Sequence, residues 1–136
     1  TDPSPPNALS ARLGVDAMRV EMADQVVDPA TRQVMEYGAT ILECHSKGVE
    51  RRHIFVANDG GRWKFGQFGE PFPFEDTMAY QAKSIKARFT HAMLLAYVKE
   101  LGVTLAGSDA PMLDSGQGYL LTKHGKMPAT YKEFAD

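Results

Sequence analysis

The sequence is short of several things, and each shortage removes a class of explanation. It has one cysteine, Cys44, in 136 residues. A lone thiol makes no internal disulfide, which excludes a disulfide-stapled scaffold, and it cannot build a structural zinc site of the CxxC type. No apolar run approaches the roughly 20 residues of a membrane-spanning helix. Positive charge is not in excess: 15 Lys+Arg stand against 17 Asp+Glu, a net charge of −2, whereas a dedicated nucleic-acid binder carries a clear basic surplus. No segment repeats, which excludes a solenoid. Thr1 to Pro6 has no basic region followed by an apolar stretch, so no signal peptide is expected and a cytoplasmic location is the default.

What is present fits one globular domain. Hydrophobic residues make up 43% and charged residues 24%, enough to bury a core without staples. Residues 1–7, rich in Pro and polar side chains, read as a flexible tail, and residues 8–136 as a single domain.

Periodicity predicts the elements. Ala8 to Leu13 forms a short helix stopped at Gly14. Met18, Val20 and Met22 alternate with Arg19 and Glu21, the period of a half-buried strand. Asp28-Pro29-Ala30-Thr31 is a turn. Residues 29–47 fit either a strand, with Met35, Tyr37, Ala39 and Ile41 on one face, or a helix capped by Asp28. Thr40-Ile41 and Gly38 favour the strand. Arg52 to Ala57 and Arg62 to Phe65 are strands of a hairpin closed by Asn58-Asp59-Gly60-Gly61, with Gly66 and Gly69 placed for a bulge or a close approach.

Prolines keep residues 70–75 extended. Asp76 or Thr77 then opens a helix whose apolar stripe is Met78, Ala82, Ile85 and Phe89. Thr90 caps a second helix with the stripe Leu94, Tyr97, Val98 and Leu101, ended by Gly102. Ser108 to Gly118 reads as loop, Tyr119 to Thr122 as a strand, and Thr130 to Phe134 as a last helical turn. Strands first and paired helices after predict an α+β fold: an antiparallel sheet of about three to five strands packed against two main helices of the C-terminal half.

Catalytic signatures are weak. Cys44-His45 are neighbours, and neighbours on a strand point to opposite faces, so His45 is poorly placed to activate Cys44. His53 is the other available base, across a hairpin around Lys47-Gly48. Cys44 with His53 or His45 is thus the enzyme alternative, while a small buried cysteine is the simpler expectation. The histidines His45, His53, His91 and His124 lack metal-ligand spacing and no carboxylate in their sequence neighbourhood completes a set, so neither a metal nor a cofactor is expected. Residues 59–66 lack the spacing of a phosphate loop and join two strands. Glu75 and Asp76 read as helix-start carboxylates, stabilised there by the helix dipole. Phe68, Phe72, Pro73 and Phe74 are expected to cover the end of the core rather than to anchor a partner.

Charge segregation is the more informative signal. Residues 16–36 carry five acidic and two basic residues, residues 47–64 five basic and two acidic, and residues 78–99 four basic and none acidic. Trp63, Phe55 and Phe65 are interleaved with the basic groups. The pattern predicts a non-enzymatic domain that binds an acidic protein surface, with Arg51, Arg52, Arg62, Trp63, Lys64, Lys83, Lys86 and Arg88 at the interface. Small bacterial immunity proteins, which neutralise a toxin by covering its active site, share this profile of size, element order and absent catalytic signature. Basic and aromatic residues on a sheet also suit single-stranded nucleic acid, the alternative partner.

Overall fold

The computed structural model describes residues 5–105, 111–113 and 119–122. The chain opens with helix α1 (Pro5–Leu13), then strands β1 (Asp16–Ala23), β2 (Val26–Val27), β3 (Val34–Glu36), β4 (Ala39–Ser46), β5 (Val49–Asn58) and β6 (Trp63–Phe68). A 3₁₀ turn (Ala79–Gln81), helix α2 (Ile85–Arg88), helix α3 (His91–Glu100) and strands β7 (Val103–Leu105), β8 (Pro111–Leu113) and β9 (Tyr119–Thr122) follow. The main sheet has the order β6-β5-β4-β1-β9. Its first three pairings are antiparallel and β9 joins β1 in parallel. The fold is α+β with an antiparallel sheet, as the element order predicts.

Alternation places the core. Val20, Leu42, Cys44, Ile54 and Val56 point from the sheet towards Phe89, Leu94, Tyr97 and Val98 of the helical layer. Leu94 and Val98 are fully buried, each contributing about 1.5–3 kcal/mol. Thr90 caps α3 by accepting a hydrogen bond from the Met93 amide, and Gly102 ends it at φ 89°.

Several expectations need correction. Helix α1 starts at Pro5, so Pro5, Pro6 and Asn7 are helical. Pro6 is buried, and Pro fits a first helical turn because its missing N–H is not needed there. The region 29–47 holds strands β3 and β4 and no helix, but its inward face is Thr40, Leu42 and Cys44, whereas Met35 and Tyr37 are exposed. The helix expected from Asp76 to Phe89 is two separate turns, and Met78 at its start is 83% exposed. Asp76 Oδ1 accepts from the Ala79 amide, which satisfies the 3₁₀ turn, but Ala82 is extended at ψ 144° and breaks the helix there. Within the expected loop 108–118, Pro111–Leu113 is a strand paired only with β7, an edge position that tolerates the missing N–H of Pro111. The expected helical turn at 130–134 lies outside the described residues.

Candidate functional site

The β4–β5 pairing places Cys44 relative to the two histidines. Cys44 lies opposite Arg52 and faces the core, while Glu43 lies opposite His53 on the outer face of the sheet. His45 shares that outer face, so neither histidine is on the side of Cys44. Burial, then the charges of Glu75 and Glu43, push the Cys44 thiol up to about 12. The thiolate a cysteine nucleophile needs is disfavoured at neutral pH.

The partner of Cys44 in register, Arg52, is fully buried. Its Nε donates to Glu75 Oε2 at 2.9 Å and its Nη2 to Glu75 Oε1 at 2.7 Å. Its Nη1 donates to the carbonyls of Phe68 and Gly69, and Nη2 also reaches Gln67 Oε1 at 2.8 Å. The Tyr80 hydroxyl donates to Glu75 Oε1 at 2.7 Å and therefore accepts from the Tyr97 hydroxyl at 3.0 Å. Burial pushes the Glu75 carboxyl up, but the hydrogen bonds from Arg52, Tyr80 and the Phe72 amide outweigh it and hold the group below its ordinary range. Glu75 is thus no helix-start carboxylate: it anchors the 70–76 segment to the sheet. Phe72 and Phe74 stack beside it on the core, whereas Phe68 is 56% exposed on the opposite face.

The predicted interface residues separate on this scaffold. Arg52 has no surface to offer. Arg51 is exposed but sits seven residues along β5 from Asn58, roughly 23 Å from the hairpin turn at about 3.3 Å per residue. Lys64 pairs with Asp59 across the turn. Arg88 donates to the Ala82 carbonyl at 2.8 Å and lies over the Phe65 ring. Arg62, Lys83 and Lys86 are exposed, and Lys86 Nζ lies 4.8 Å from the centroid of the half-buried Trp63 ring. Phe65 packs on the core and Phe55 faces the outer side of the sheet, so the three aromatic rings form no common stacking platform.

Trp63 and Lys86 stand at one wall of a cavity of about 250 Å³ that the charge pattern did not disclose. Asp24, Gln25, Thr40, Thr90 and His91 complete its polar lining. Gln25 Oε1 accepts from Asn58 Nδ2 at 3.0 Å, tying the loop after β1 to the hairpin. His91 Nε2 donates to the Ala39 carbonyl at 3.2 Å, with Nδ1 3.5 Å from Asp24 Oδ1. Gly38 is required here, because a Cβ would stand 2.5 Å from the Trp63 ring edge. These residues are distant in sequence and share no periodicity.

On the outer face, strand pairing also brings carboxylates to the histidines, which the spacing did not anticipate. The β4–β5 register shifts between Cys44 and His45, leaving Arg51 without an opposite number and pairing Glu50 with His45. This bulge turns Glu50 onto the side of Glu43, His45 and His53. His53 Nδ1 lies 3.2 Å from Glu50 Oε1 and 4.0 Å from Glu43 Oε1. His91 is elsewhere, at the cavity, and His124 lies outside the described residues.

No protein-family model, curated protein or solved structure matches the chain.

Proposed function

We propose that the protein is a non-enzymatic binding domain that covers an acidic site on another protein, using the turn end of the β5–β6 hairpin and the adjoining α2. The observation that carries this reading is Lys86 lying over Trp63 at the lining of the cavity, with Arg62 next to Trp63 in the chain and Lys83 three residues before Lys86, both exposed. A half-buried indole beside a recess of mixed polar and apolar lining supplies the anchor that interfaces concentrate their affinity on, and the exposed cations Arg62, Lys83 and Lys86 steer a negative partner towards this end of the sheet. A carboxylate of the partner entering the recess would meet Lys86 at its rim. The blocking action of toxin-neutralising immunity proteins is the mode of action this arrangement suits. The raised Cys44 thiol and its separation from both histidines argue against the cysteine-enzyme alternative.

The test is capture from a nuclease-treated lysate of the source organism, with the wild type and an Arg62→Glu/Lys86→Glu variant compared side by side. A stoichiometric protein retained by the wild type, released by moderate salt and lost by the variant supports the reading. A protein retained equally by both places the interface elsewhere. Binding seen only in a parallel lysate left without nuclease transfers the surface to nucleic acid.

A further inference from the structure

Beyond partner binding, and not resting on it, we infer that the recess beside Trp63 binds a free α-amino acid with an apolar side chain. The recess forms where pieces of chain remote in sequence meet: Asp24 and Gln25 after β1, the start of β4, and the α2–α3 junction from Lys86 to His91. Val56 and Phe89, both buried, give it an apolar floor. Its volume of about 250 Å³ is the room of about eight waters at roughly 30 Å³ each. That falls short of the roughly 300–1,000 Å³ of sites for drug-sized ligands, which excludes a nucleotide and suits a molecule of about ten non-hydrogen atoms.

The wall carries two acceptors that face each other. The Ala39 carbonyl can only accept, so His91 Nε2, 3.2 Å from it, carries the proton of the ring. The neutral imidazole then turns the lone pair of Nδ1 towards Asp24 Oδ1, 3.5 Å away. An ammonium group, with three N–H donors, satisfies both acceptors at once. The Asp24 side chain is 91% exposed, which keeps this end of the recess open to an incoming ligand.

Lys86 supplies the complement. Its Nζ lies over the Trp63 ring and has no carboxylate partner among the described residues. It is the cation for the carboxylate of the ligand. Asp24 on the same lining disfavours a ligand with a carboxylate alone, and Lys86 one with an ammonium group alone, so together they select the zwitterion. Thr40 adds an independent observation. It lines the recess at 5% exposure, and its hydroxyl makes no hydrogen bond with any described residue. A buried hydroxyl without a partner is costly, and a ligand carboxylate that accepts from it removes the cost.

The test uses the full chain and three matched probes: L-leucine, isocaproate, which lacks the ammonium group, and isopentylamine, which lacks the carboxylate. Calorimetric titration reads binding, and the emission of Trp63, the only tryptophan, gives a second signal. One equivalent of leucine is expected to bind, and each analogue about tenfold or more weaker, the loss of one charge-assisted contact. Asp24→Ala should abolish the preference for leucine over isocaproate, and Lys86→Met the preference over isopentylamine; both positions are exposed, so the fold is kept. Thr40→Val, which exchanges the hydroxyl for a methyl group, should weaken leucine severalfold. Arg62→Glu, in the proposed protein interface but outside the recess lining, should leave leucine binding unchanged, which separates loss of ligand from loss of partner. No binding of leucine, alanine or phenylalanine up to millimolar concentration would overturn the proposal. So would analogues that bind as tightly as leucine, preferences unchanged in both variants, or Arg62→Glu weakening leucine as much as Lys86→Met.

Discussion

Arg52 and Glu75 meet in a two-point ion pair whose side chains are 1% and 0% exposed, at the junction of the sheet and the segment leading to the helices. Tyr80, backed by Tyr97, completes the carboxylate side, and Gln67 with two backbone carbonyls completes the other, so the guanidinium in the core of the domain has no unsatisfied donor. A fully bonded buried pair adds little over an apolar equivalent, but removing one member leaves the other charged and alone. Arg52→Ala should therefore lower stability by about 3–5 kcal/mol. Arg62→Ala, at an exposed position, should stay within about 0.5 kcal/mol. Urea denaturation of the two variants checks the contrast, and equal effects would remove the distinction drawn between the two arginines.

The same pair gives the domain an acid limit. Glu75 is held below its ordinary range in the folded state, so the unfolded chain takes up its proton at higher pH. Its contribution is complete above the unfolded value, about 4.3, and is lost as pH falls through the folded value. Glu75→Gln should be less stable than wild type near pH 7 and should lose less stability on acidification from pH 6 to pH 3. Denaturant midpoints measured across that range report both effects.

Cys44 should behave as a packing residue. With its thiol pushed up to about 12 and its side chain in the core, alkylation by iodoacetamide near pH 8 should be slow in the folded protein and rapid in urea. Rapid modification of the native protein would reopen the cysteine-enzyme reading.

Gly69 marks a point where the backbone leaves no room. Its φ is 85°, and a Cβ would stand 2.0 Å from the Arg51 carbonyl oxygen, backbone that cannot move aside. Gly69→Ala should cost more than about 1–2 kcal/mol. Gly61→Ala, with nothing within 4 Å of its Cβ and no positive φ, should be close to neutral. Thermal melts of the two variants make the comparison.

Local rules served the sequence reading well where the chain is periodic or punctuated. The β5–β6 hairpin, the Thr90 cap and the Gly102 stop were all legible, because each is decided by a few adjacent residues. Glu75 was not: its position before a turn suggested a helix dipole, and only the tertiary approach of Arg52 reveals its role. Arg52 reads as a surface residue because a charged residue on a strand usually lies there, yet its alternation with Ile54 and Val56 is the signal that argues otherwise. Residue type singles out Trp63 and Lys86, but the cavity beside them joins β1, β4, β6 and the start of α3, which no local pattern announces. The Glu43–Glu50–His53 cluster depends on one bulged residue, Arg51, that shifts the register by a single position.

The most direct test of the central claim, that the hairpin end meets an acidic protein partner, is the association rate of the captured partner with wild type and with Arg62→Glu/Lys86→Glu at low and moderate salt. The account predicts a rate for the variant about tenfold or more lower at low salt, with the difference shrinking as salt screens the charges. Equal rates at low salt would contradict it.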